Sequence, residues 1–81
     1  MIESLKIHLL EKNLTHHQIK ILLLTFVGLR DHEISLKMEN AVKSVKSTKT
    51  IAFKKLGLKG KYEFYKYCLN LIIPNAIEEI K

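Results

Sequence analysis

Seven lysines, Lys43, Lys46, Lys49, Lys54, Lys55, Lys59 and Lys61, fall between Asn40 and Tyr62, and no acid interrupts them. An ammonium group is a compact charge with three donors, suited to phosphate oxygens and to the O6 and N7 acceptors of guanine. Ser44, Ser47 and Thr50 lie among them, small hydroxyls that let a backbone approach closely and can bond phosphate or base. Val45, Ala52 and Leu56 recur at helical spacing, and Gly57 follows directly. The segment therefore reads as a helix over Val42–Leu56 with an apolar back, a cationic front and a glycine stop. Such a front suits a polyanion, and the expectation is a helix that lies in the major groove of DNA.

Other chemistries find little support. His16 and His17 are neighbours and point roughly 100° apart on a helix, not at the i, i+4 spacing of paired ligands, and His8 and His32 are isolated. One cysteine, Cys68, permits no intramolecular disulfide and no cysteine-based zinc site, and it reads as a small buried apolar residue. No metal and no cofactor is expected. Neither a nucleophile with a matched base, nor paired carboxylates in a pocket, nor a glycine-rich phosphate loop is present, so an enzyme is not expected.

The chain has 81 residues, one small domain at most. Fourteen Lys and Arg against eight Asp and Glu give a net charge of +6, and the pI is near 9.6. That excess makes nucleic acid a serious partner, although an acidic protein or an anionic lipid surface would answer to the same charge. A hydrophobic fraction of 47% argues against disorder throughout. Met1-Ile2-Glu3-Ser4 lacks the pattern of a signal peptide. The run from Ile21 to Leu29 is broken by Thr25 and Gly28 and is too short to cross a bilayer. No membrane partner and a cytoplasmic location are expected.

Four residues punctuate the chain: Gly28, Gly57, Gly60 and Pro74. A first helix, Ile2 to Lys12, would bury Ile2, Leu5, Leu9 and Leu10. Thr15 and Gln18 form a capping box for a second helix running to about Val27, which would bury Ile19, Leu22, Leu23 and Phe26 and end at a left-handed Gly28. Asp31 is expected to cap a short third helix, His32 to Met38, burying Ile34 and Met38. Glu39-Asn40-Ala41 reads as a tight turn, with Asn40 capping the basic helix. The last helix spans about Tyr62 to Ile73. Phe64, Tyr67, Cys68 and Leu71 line one face, and Tyr65, Leu69 and Ile72 line another. Pro74 breaks it, and residues 75–81 would add one more turn. The fold class is all-α, a helix-turn-helix arrangement with the polar face of its second helix outward.

Read together, Leu14-Thr15, Gly28-Leu29, Glu33-Ile34-Ser35, Lys43-Ser44-Val45-Lys46, Lys55-Leu56-Gly57-Leu58 and Glu63 resemble the LuxR/GerE-type helix-turn-helix. That family's pattern is approximately L-T, G-L-x-x-x-E-I-A, K-T-V-K, R-K-L-G-V and E-A, and the match needs no gap from Leu14 to Leu69. The resemblance implies a four-helix core over 14–73, preceded by an extension over 1–13 and followed by a tail over 74–81. It implies that Lys46, Ser47 and Thr50 face base edges, that Lys43 and Ser44 lie near phosphates, and that Lys54 and Lys55 touch the backbone further along. It places dimer contacts on the last helix, at Tyr65, Leu69 and Ile72. The chain departs from the pattern at Ala41, where a serine cap is common, at Ile51, where a polar residue is common, and at Tyr62, Phe64 and Tyr65, which are bulkier than usual. The leading Met and the extra helix suggest a stand-alone, GerE-like bacterial regulator.

The expected function is sequence-specific DNA binding in transcription regulation, as a homodimer on an inverted repeat. The alternative is a protein-interaction module of the same fold, pairing with another regulator or with RNA polymerase.

Overall fold

Chain reversals set the architecture. The structure, a computed structural model, describes residues 2–73, and these form five helices with no strand among them. They are α1 (Ile2–Glu11), α2 (His16–Phe26), α3 (Asp31–Met38), α4 (Val42–Leu56) and α5 (Lys61–Ile72). The all-α expectation holds. The turn expected within 75–81, the break at Pro74 and the side chain of Ile2 lie outside the described residues.

Thr15 starts α2 as its sequence indicates: its hydroxyl accepts from the Gln18 N–H at 3.1 Å, and its own N–H donates to Gln18 Oε1 at 3.0 Å. Three successive helices then end in the same way. Leu29 N–H reaches back to the Leu24 carbonyl, Asn40 N–H to that of Ser35, and Leu58 N–H to that of Phe53. Each closure requires a left-handed residue, supplied by Gly28 (φ 104°), Glu39 (φ 56°) and Gly57 (φ 74°). The two glycines have open space around them, so backbone conformation rather than crowding accounts for their choice.

Two expected caps are corrected. Asp31 is not the cap of α3 but its first residue; Arg30 occupies the cap position, and its N–H donates to Glu33 Oε1 at 2.9 Å. Ala41, not Asn40, precedes α4, and no side chain caps that helix. At α5 the cap position belongs to Gly60, and Glu63 Oε1 accepts from the Lys59 N–H at 2.9 Å.

Two apolar clusters meet on α2. The larger joins Leu5 and Leu9 of α1, Leu14, Ile19 and Leu22, Ala52 and Phe53 of α4, and Phe64 and Cys68 of α5. The smaller joins Ile21, Ile34 and Val45, with Leu24, Leu29 and Met38 against it. Leu10, expected inside, is exposed, because it lies about 100° round α1 from Leu9. Leu71 is likewise exposed, and Leu23, Phe26, Leu56 and Tyr67 are only partly covered. Thr25, buried in α2, donates its hydroxyl to the Ile21 carbonyl, and its own carbonyl accepts from the Tyr65 hydroxyl at 2.8 Å. The ring of Tyr67 stands against that of His8, and their polar atoms are hydrogen bonded, which ties α1 to α5. Among the described residues, no helix is long and apolar enough to cross a membrane.

Candidate nucleic-acid interface

Helix α4 is anchored by Val45, Ala52 and Phe53, which are buried. The opposite side of the helix carries Lys43, Ser47, Thr50 and Lys54 at i, i+4, i+7 and i+11, one continuous exposed stripe. Ser44 and Ile51 border it on one edge and Lys46 on the other, all exposed. Helix α1 turns its apolar side to α2 and α5, through Leu5, Leu9 and His8, so it does not roof this surface. The structure thus brings Lys43, Ser44, Lys46, Ser47, Thr50 and Lys54 together on one side of one helix.

Thr50 Oγ1 donates to the Lys46 carbonyl at 3.0 Å. Its hydroxyl therefore offers an acceptor and a methyl group to whatever approaches, not a free donor.

Lys55 departs from this arrangement. It lies about 100° round the helix from Lys54, and its ammonium donates to the Asn13 carbonyl at 3.2 Å and to Gln18 Oε1 at 3.1 Å. Lys55 thus fastens α4 to the α1–α2 loop and to the first turn of α2 while itself remaining exposed.

Lys49, one of the seven lysines but not among the expected contacts, is turned away from the stripe. Its ammonium pairs with Asp31 Oδ1 at 2.7 Å, with side-chain exposures of 11% and 24%. The pair joins the start of α3 to the middle of α4. It is the ion pair present among the described residues, which leaves the lysines of the α4 stripe without a carboxylate partner there.

On α5, Tyr65 is half-buried, its ring tilted against Phe26 and its hydroxyl bonded to Thr25. It belongs to the seam with α2. Of the three expected interface residues, Leu69 is exposed and Ile72 is half-covered. Leu71 and Ile73 add exposed apolar surface at the same C-terminal end, while the exposed Tyr62 lies in the first turn of α5. Burial pushes the Cys68 thiol from an ordinary 9.0 up to about 12. The phenol of Tyr67 is raised as well, by burial first and by its neighbour Cys68 second.

Set against protein-family models, curated proteins and solved structures, the chain matches none of them.

Proposed function

We propose that this chain binds double-stranded DNA in a sequence-dependent way and regulates transcription, with α4 in the major groove, rather than catalysing a reaction. One observation carries the reading: the side of α4 away from the core is exposed along its length, holds lysines and small hydroxyls, and has no acid on it. A B-form major groove is wide enough for one helix, and a helix that enters it needs such a surface. The supports lie in the backbone too. A three-residue connection with left-handed Glu39 sets α3 against α4, and α2 backs both. This order, with Gly57 closing α4, supports the finer proposal of a LuxR/GerE-type helix-turn-helix over α2 to α5, with α1 as an addition.

Selecting bound duplexes from a random pool tests the reading directly. The expected result is an enriched motif with dyad symmetry and half-site centres roughly 10 bp apart. Lys46→Ala should then weaken binding to that motif by about 1–3 kcal/mol, and weaken binding to random duplex by less. A pool that enriches no motif, at low salt and with folded protein, would count against the proposal.

A second reading has its own support. Leu69, Leu71 and Ile73 leave the end of α5 apolar and uncovered, which suits pairing with a second copy or with another regulator. A gel shift together with light scattering separates the cases: a monomer that shifts no duplex at low salt would favour hetero-association over DNA binding.

A further inference from the structure

Beside the exposed stripe of α4 lies a recess of about 350 Å³, open to solvent. It is lined by Lys46 and Lys49 of α4, by Lys59, Gly60 and Lys61 leading into α5, and by Asp31 of α3. Phe53 and Thr50 also line it, and Thr50 belongs to the stripe as well. The recess is therefore continuous with the α4 surface and runs alongside it.

Its electrostatics are one-sided. Four lysines line it, two from α4 and two from the approach to α5, and the single lining carboxylate, that of Asp31, is already taken by Lys49. Lys59 and Lys61 also sit at the start of α5, where the helix dipole is positive and cations are unfavourable. No side chain caps that helix start. Glu63 offsets part of this excess through the Lys59 N–H, and the ammonium of Lys61 stands 5.8 Å from the centre of the Tyr65 ring. Cations gathered at a positive helix end repel one another until an anion joins them.

We infer that this recess seats a backbone phosphate of the same duplex whose groove receives α4. The inference rests on the major-groove reading. Phosphates line both rims of the groove, so a helix lying in it has a strand along each flank. The recess lies along one flank of α4, with Thr50 and Lys46 shared between groove and rim. A phosphodiester there accepts hydrogen bonds from the lysines and from the first N–H groups of α5. It carries no sequence information. It fixes how far α4 enters and in which register.

The test is the salt dependence of duplex binding, followed by anisotropy between about 50 and 200 mM salt. The Lys59→Ala/Lys61→Ala protein is compared with wild type and with Lys6→Ala/Lys20→Ala, which removes the same charge from exposed positions on α1 and α2. Loss of one or two neutralised phosphates should lower the log–log slope by about 0.9 to 1.8 in the recess variant, with roughly tenfold weaker binding near 0.1 M salt, and leave the preference for the selected motif intact. Amide signals of Gly60, Lys61 and Tyr62 should move when duplex is added to the wild-type protein. A recess variant that keeps the wild-type slope, or a control that loses as much, would overturn the phosphate seat while wild-type motif binding leaves the groove reading standing. Absence of any salt-dependent duplex binding by wild type would remove both.

Discussion

Thr50 donates its hydroxyl proton to the Lys46 carbonyl, so its outward chemistry is an oxygen lone pair and a methyl. Under the proposed DNA binding, such a side chain would discriminate by accepting from an exocyclic amine or by touching a thymine methyl. Cys68 is constrained differently. It is fully buried, and its thiol ionises only near pH 12 in the folded chain, against an ordinary 9.0. At about pH 8 a thiol reagent should therefore label unfolded protein and spare native protein. Between about pH 9 and 12 the native thiol keeps a proton that the unfolded thiol has lost. Stability must fall as pH rises through that window, and Cys68→Ala should make the fall shallower in urea titrations at successive pH values. The raised pKa of the Tyr67 phenol acts in the same direction, and the part of it due to burial would remain. Most of the α4 stripe was legible from spacing, because a helix places i, i+4 and i+7 on one side. The roles of Lys49 and Lys55 were not. Asp31 is eighteen residues from Lys49, and Gln18 is thirty-seven from Lys55, separations that no local period encodes.

Helix boundaries were read closely where glycine or a capping box stands, and less well where a carboxylate or amide had two possible duties. Thr15 with Gln18, Gly28 and Gly57 all act as their types imply. Asp31 looked like a cap because Asp often is one, yet Glu33 already accepts from the Arg30 N–H, and Asp31 serves Lys49 instead. Phe53 was missed because Ala52 and Leu56 already accounted for the apolar side of α4. Glu39 shows where the chain tolerates strain. It holds φ 56° at the end of α3, a conformation that costs a side-chain-bearing residue more than glycine. Glu39→Gly should raise stability by about 0.5–1 kcal/mol, seen as a higher urea midpoint. A lower midpoint would mean that the Glu39 side chain contributes more than its backbone costs.

Across the five helices, positive charge and apolar contact are divided between opposite sides of α4, one outward and one inward. The inward side is itself divided. Ala52 and Phe53 belong to the larger apolar cluster, with α1 and α5, whereas α3 is joined to the rest through Ile34 and Met38 in the smaller one and through Asp31. A short helix that has no part in the larger cluster should detach before the others do. Hydrogen exchange would show it: the amides of Leu36 and Lys37 should exchange through a small, denaturant-insensitive opening, while those of Leu22 and Phe64 wait for global unfolding. Uniform exchange across α2, α3 and α5 would refute this. Because Ala52 and Phe53 keep their own anchorage, α4 can outlast the departure of its neighbour, and the exposed stripe it carries would be softer on its α3 side than along its spine.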